Sequence, residues 1–325
     1  MISNVRQLIE RLGSSSYALS KDPVSQQLYP TTISDVASFM DWYLWFLKVR
    51  LAPGGGYQRV VTALRVLAIL IRSGVDPSMR DAGRKKKGLL NWPESFRVNI
   101  FDDTMNRVLL DCLFNPFDDI RGMAAEVLKL SRRCCGSALD VVIRRGLKEM
   151  DRSGRASDAD GVARAIEIWF QCVRDRSGDP GGVMACEIHA TPAHNCGVSV
   201  FDWVLDLLEG EYLKVARADL QRAVKERPVH GLLAGMRYVL ERKDVYEGAS
   251  RSGRRRAISR ILRYCEEIWD LAKGVLCYDS PEGYVPEGMM DEDGDGEDEM
   301  DTQTVMSYCW RAVKESRYDI LIGKY

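Results

Sequence analysis

The residues best suited to chemistry in this chain lie in one short stretch. Cys186, His189, His194 and Cys196 place four zinc-competent side chains within eleven residues, as Cys-x2-His followed by His-x-Cys. Thiolate and imidazole are the ligand set of structural zinc, and each pair is close enough to chelate. Familiar zinc modules leave about 12 residues between their two ligand pairs. Here only residues 190–193 intervene, too short a join for four ligands to wrap tetrahedrally without strain. No metal is therefore expected, and the segment reads as a loop that holds two of the chain's three histidines.

Asp291, Asp293, Asp295 and Gly296 match the first half of an EF-hand loop. The twelfth position, where a bidentate Glu completes the calcium shell, is Thr302. Residues 287–301 carry nine acids and no base; such a tract repels itself, and an exposed acidic insert is the expectation. Catalytic signatures are missing. There is no Gly-x-Ser-x-Gly, no phosphate-cradling Gly-x4-Gly-Lys-Ser/Thr and no strand-borne Gly-x-Gly-x-x-Gly. The three histidines fall at loops or helix starts, so general acid–base chemistry has few carriers. No catalytic residue is nominated and no cofactor is expected.

Two basic clusters could meet phosphate. Arg84, Lys85, Lys86 and Lys87 form one, in a loop. Arg251, Arg254, Arg255 and Arg256 open a helix that continues through Arg260 and Arg263. Residues 242–263 hold eight bases and two acids, the composition of a surface for RNA phosphate, or of a solvated helix face or a nuclear localisation signal; the nearby acid tract could equally hold this patch by pairing within the chain. Trp42, Tyr43, Trp45 and Phe46 recur at helical spacing and read as core between repeat layers, with Trp169, Trp203 and Trp269 similarly placed inside apolar helices.

These residues need helices to position them. Of 325 residues, 46% are hydrophobic and 29% charged, with a net charge of −1; this suits a folded chain with no global field favouring nucleic acid. Nine cysteines, scattered through apolar stretches, read as reduced thiols of the cytosol or nucleus. The first residues begin an amphipathic helix without a secretory signal, and no apolar run is long enough to span a membrane. Apolar spacing is helical over 33–51 (Ser34 as N-cap), 57–73, 103–114, 119–134, 137–150, 158–175, 198–227, 229–243, 254–278 and 302–320. Sustained alternation, the mark of strands, is absent. Helix pairs in series predict an all-α fold, an α-solenoid of HEAT/armadillo-like repeats, against a helix bundle as the plainer alternative. Asp119-Ile-Arg121 followed by Ala124, Ala125, Val127 and Leu128 has the pattern of a second repeat helix. Its Asp is expected to cap the helix and to pair with an Arg of a neighbouring repeat.

Three pieces resemble one family. Tyr308-Cys-Trp310-Arg311-Ala-Val-Lys314-Glu315 is similar to the opening of the conserved block (DUF2428) of the THADA family. Pro53-Gly-Gly-Gly-Tyr57-Gln-Arg59 with Thr62-Ala-Leu64, and Leu109-Leu-Asp-Cys-Leu-Phe-Asn115 with Asp118-Asp-Ile-Arg121, occur in the order of the region before that block. The wording is most similar to fungal members. The resemblance implies a segment of a long superhelix. It implies a regulator of a separate Rossmann-fold tRNA 2′-O-methyltransferase that binds S-adenosylmethionine and modifies position 32 of the anticodon loop. Catalytic residues would then belong to that partner, and tRNA itself is a further expected partner. On this basis residues 1–278 are a repeat segment with loops near 74–95 and 177–197, 279–301 an acidic linker, and 302–325 the first helix of the conserved block. A cytoplasmic, non-catalytic scaffold is expected. The alternative function is a HEAT-type protein–protein adaptor with no RNA role, favoured by the acid tract and the balanced charge.

Overall fold

The computed structural model describes residues 2–24, 30–79, 92–131, 136–177, 200–242, 251–276 and 302–322. Among them the architecture is all-α, and the extended pairing is an isolated antiparallel bridge between Met79 and Ser131. The chain divides into two compact units, Met1–Ala138 and Leu139–Tyr325.

The first unit contains α1 (Ile2–Lys21), α2 (Pro30–Leu51), α3 (Tyr57–Arg72), α4 (Asp103–Cys112) and α5 (Asp118–Lys129). α2 is already helical at Pro30, ahead of the expected Ser34 cap, and a proline is compatible with an early helical turn. Its join to α3 turns at Gly54, whose φ of +86° only glycine adopts cheaply. Asp102 caps α4 by accepting from the Met105 amide, and it also pairs with Lys48 near the end of α2. Met40, Leu44, Leu47 and Leu51 of α2, Leu64, Leu67 and Ile71 of α3, and Ile120, Ala124 and Leu128 of α5 are buried at helical spacing. Each Leu-sized side chain so buried contributes roughly 1.5–3 kcal/mol. α2 packs on α3 and α4, and α3 packs on α5.

The connection after α3 is organised by one buried carboxylate. Asp76 accepts from the Ser78 amide (2.7 Å) and hydroxyl (2.6 Å), and from the amides of Ile100 (2.8 Å) and Phe101 (3.3 Å). Trp92 seals the same region, its indole N–H donating to the Ser73 carbonyl at 3.2 Å.

The aromatic run of α2 departs from the sequence expectation. Trp42 and Trp45 are 53% and 60% exposed. They lie with exposed Val49 on the side opposite Met40, Leu44 and Leu47, while Phe39, Tyr43 and Phe46 stack along a flank. A helix that is apolar all round has no sequence mark for which side meets the core. Trp269, also expected in the core, is 43% exposed. Trp169 is buried and packs edge-on against half-buried Trp203.

The second unit is built from α6 (Gly136–Ser153), α7 (Ala156–Ser177), α8 (Val200–Leu207), a π-helical turn at Leu208–Leu213, α9 (Lys214–Ala218), α10 (Leu220–Glu226), α11 (His230–Leu240), α12 (Arg251–Leu276) and α13 (Thr302–Ile322). α11 lies between α7 and α13, and α12 packs on α8 and α13. α11 runs in the same sense as α7: a Cβ on Gly231 would meet Ala159, one on Gly235 would meet Ala163 and Ile166, and Arg242 reaches Gln171. α12 follows α8 and α9 likewise, Arg260 meeting Asp206, Arg263 meeting Glu209, and Glu267 meeting Arg217. Neighbouring helices of like sense in two rows are what a helical repeat array produces.

The expected continuous helix over 198–227 is instead interrupted twice. The π turn re-aims successive residues, so that Glu209 faces α12 while Tyr212 faces Asp151. At Asp219 the backbone is extended (φ −159°, ψ 105°), and its carboxylate accepts from the Arg222 amide. The local bond an Asp side chain offers at an N-cap competes with continued helix.

The closest backbone approach in this unit is testable. A Cβ on Gly231 would run into Met150 Sδ and come within 3.1 Å of Ala159 Cα, whereas one on Gly274 would meet nothing within 4 Å. Gly231→Ala is expected to destabilise by about 1–3 kcal/mol through overpacking. Gly274→Ala, inside α12, is expected to be neutral or to stabilise by up to about 1 kcal/mol. Urea unfolding of the two variants measures both, and equal effects would contradict the close approach.

Candidate interaction surface

The signature helix α13 is fixed by a stripe and two polar pins. Val305, Cys309, Ala312 and Ser316 are buried at one-turn spacing. One position further round, the Arg311 guanidinium donates to the Gly154 carbonyl at 3.1 Å, between α6 and α7. Arg237 of α11 donates to the Glu315 carboxylate at 2.9 Å, with both side chains largely removed from solvent. Removing either partner of such a pair strands a charge in a poorly solvated place. Trp310 and Lys314 point the other way. Trp310 is 56% exposed, and the Lys314 ammonium sits 5.1 Å from its ring centroid. The four signature residues thus divide into two that lock the helix and two that face outward.

The basic helix divides similarly. Arg256 is exposed. Arg260 contacts Asp206 at 2.6 Å, Glu209 at 3.5 Å and Asp202 at 3.7 Å, and Arg263 contacts Glu209 at 3.2 Å. The Tyr264 hydroxyl also donates to Glu209. That hydrogen bond, with Arg263 and Arg260 beside it, outweighs desolvation and holds the Glu209 carboxyl below its usual range. Arg242 is engaged by Gln171 at 2.6 Å and Glu167 at 3.8 Å. The charge excess read from the sequence is therefore largely cancelled at Arg242, Arg260 and Arg263 by acids distant in the chain. Arg251, Arg254 and Arg255 lie in the opening five residues of α12, and their side chains lie outside the described residues. So do Arg84, Lys85, Lys86 and Lys87, the Cys186, His189, His194 and Cys196 cluster, and the acidic segment 279–301. Among the described residues no group of three or more His, Cys, Asp or Glu side chains could hold a metal.

A recurring device was invisible in the sequence. Tyr57 donates to Asp119, Tyr212 to Asp151, Tyr238 to Asp160 and Tyr264 to Glu209, each joining elements at least 55 residues apart. Arginines complete three of them: Arg227 pairs with Asp151, Arg164 with Asp160 at 2.8 Å, and Arg260 and Arg263 with Glu209. Asp119 thus meets a neighbouring tyrosine in place of the expected arginine, and α5 is capped by Phe117 with no side-chain bond. Arg121 instead turns back onto the Asn115 (2.8 Å) and Pro116 (3.0 Å) carbonyls at its own helix start. Burial pushes the Asp151 carboxyl up, against the pull of Tyr212 and Arg227. No spacing rule in the sequence links these partners, because each link crosses between helices whose separation varies from 55 to 78 residues.

Two buried features offer no chemistry of catalysis. A pocket among Leu213, Leu220, Ile268, Ala272, Tyr308 and Cys309 is lined chiefly by apolar surface. Burial pushes the Cys309 thiol up to about 11, so it is no nucleophile near neutral pH. His230, at the start of α11, is buried with both ring nitrogens unpartnered. Desolvation, with the nearby Arg311 cation, lowers its pKa to about 4.

These features define a helical-repeat protein whose described helices hold their outward side chains in fixed positions. Among the described residues no helix is long and apolar enough to cross a membrane. Residues 1–122 match the family model described as Trm732, TPR repeats, and residues 256–318 match the one described as THADA/TRM732, DUF2428. The second match starts within α12, ahead of residue 302. With both matched in order, the chain belongs to the THADA/TRM732 family. It is similar to the tRNA (32-2'-O)-methyltransferase regulator trm732 of Schizosaccharomyces pombe, at 24% identity over 97% of this chain and 20% of that protein. It is also similar to the tRNA (32-2'-O)-methyltransferase regulator THADA of Drosophila melanogaster, at 26% identity over 55% of this chain and 10% of that protein. The chain therefore spans a fifth or less of the length of these curated relatives. No solved structure matches it.

His230 sets an acid limit on the second unit. Its folded pKa of about 4 lies below the value near 6.5 of an unfolded histidine. The unfolded chain therefore takes up a proton that the folded chain refuses. His230 lowers stability as pH falls from about 6.5 toward 4, by at most about 1.4 kcal/mol per pH unit, and has no such effect above that window. Urea midpoints at pH 7.5 and 5.0 are expected to differ more for wild type than for His230→Leu; parallel losses would show that His230 is solvated.

Proposed function

We propose that this chain is a segment of a regulatory subunit that supports 2′-O-ribose methylation of the tRNA anticodon loop by a partner methyltransferase. The observation that carries this reading is the alignment of nearly the whole chain with a relative named for that role. On this reading the chemistry lies with the partner and not with this segment. The methyl donor, S-adenosylmethionine, and the groups that activate the ribose hydroxyl belong to the partner, and the pair works in the cytoplasm. This segment holds its outward side chains in fixed positions. Arg256 and the basic opening of α12 offer charge for tRNA phosphate, which a polyanion would engage with steep salt dependence.

A second reading is a protein–protein adaptor with no RNA contact. Its support is the internal use of Arg242, Arg260 and Arg263, which leaves less cationic surface than the sequence suggests.

The test uses the full-length protein in cells that lack it. Methylation at position 32 is expected to return with wild type and to fall with Arg251, Arg254, Arg255 and Arg256 all changed to Gln. Purified forms are expected to bind tRNA with a salt slope that is shallower in this variant. Full methylation and partner capture without detectable tRNA binding would establish the adaptor reading.

A further inference from the structure

Among the described residues, one side of α13 packs on no other helix, and its one internal contact is Lys314 over the Trp310 ring. Trp310, Lys314 and Arg317 are all exposed and fall one turn apart, on the side away from Val305, Cys309 and Ala312. Between residues 303 and 317 the sole acid is Glu315, and it is turned inward onto Arg237. Among the described residues the outward side of α13 therefore combines an indole with two cations and no anion. A lone exposed tryptophan would be unremarkable on a repeat protein. Here its helix is locked by Arg311 on the Gly154 carbonyl and by Glu315 on Arg237, so the ring is presented on a rigid element at little entropic cost.

We propose that Trp310 stacks an unpaired base of an RNA loop while Lys314 and Arg317 contact the adjoining phosphates. The proposal rests on the tRNA-directed role given above and names a site for it. Stacking suits an indole because every base has a π face, and cations flanking an aromatic platform are the usual composition of surfaces for single-stranded nucleic acid. The Lys314 ammonium, 5.1 Å from the ring centroid, is already held against the platform and has only to pivot to reach a phosphate. An acidic protein partner would be served by the cations alone and would leave the indole unexplained. A paired RNA stem would offer phosphates but no free base to stack. The other exposed pair, Trp42 with Trp45 on α2, has Asp41 next to Trp42 and the exposed Val49, not a cation, one turn beyond Trp45, and so lacks this charge pattern.

The experiment measures binding of the full-length protein to a 17-nucleotide anticodon stem–loop and to a fully paired RNA duplex of equal charge. Trp310→Ala is expected to weaken stem–loop binding by about 5- to 100-fold, the loss of one stacked base, and to leave duplex binding unchanged. Trp310→Phe is expected to restore most of the loss. Lys314→Gln should lower the salt slope by about one on both RNAs. Wild-type binding to the stem–loop that is matched by Trp310→Ala would overturn the site while leaving the tRNA-directed role intact. Absence of any wild-type RNA binding would overturn the site and the RNA-contact part of that role together. A fall in melting temperature for Trp310→Ala, or loss of methyltransferase capture with RNA binding unchanged, would reassign the side chain to packing or to a protein interface.

Discussion

A pair of amphipathic helices cannot bury its apolar face alone; it needs the next pair. Everything described in the second unit depends on how closely those pairs approach. α11 meets α7 where Gly231 and Gly235 face Ala159 and Ala163, close enough that an added methyl would touch backbone. Side chains of minimal volume let the two helices lie flat along their length in the same sense. That approach brings Tyr238 to Asp160 and Arg242 to Gln171, and it gives α13 a surface on which to seat. In the first unit larger residues do the same work, with Met40, Leu44 and Leu47 of α2 filling the layer against α3 and α4.

Apolar contact between helices is nondirectional, and on its own it would tolerate sliding by a turn. The tyrosine–carboxylate links supply the missing direction. A phenol hydroxyl has one proton to donate, and a carboxylate beside an arginine has a fixed orientation, so Tyr212–Asp151–Arg227 and Tyr264–Glu209–Arg260 each admit one register. The π turn at Leu208–Leu213 is what lets neighbouring residues serve two such links, one toward Asp151 and one toward α12. The same links consume basic residues that would otherwise count as binding surface. Arg260 and Arg263 belong to the architecture first, while Arg256 and the outward residues of α13 stay exposed.

Much of the helical plan was legible in the residues. The Gly54 turn, the stop after α3, and the extents of α3, α6, α7, α11 and α12 follow from glycine punctuation and apolar spacing, both of which act over one or two turns. The signature helix was legible too, but its four residues carried no mark of which would lock and which would face outward. Trp42, Trp45 and Trp269 were expected in the core and are exposed, because aromatic character gives the tendency to bury and says nothing of which side a neighbour covers. The Asp219 break and the π turn were missed because apolar periodicity runs through both, while a single side-chain hydrogen bond decides the backbone.

The sequence by itself determined the all-α class, the serial helix pairs and the family, since those rest on local periodicity and on short runs of residue identity. Tertiary structure alone decided that Arg311 and Glu315 are internal pins, that Arg260 is neutralised by Asp206 across 54 residues, and that His230 is sealed from water. The physical reason is range. Helix formation is settled within a few residues, whereas desolvation and ion pairing depend on whatever another helix brings alongside, and no spacing in this chain encodes which helix that is.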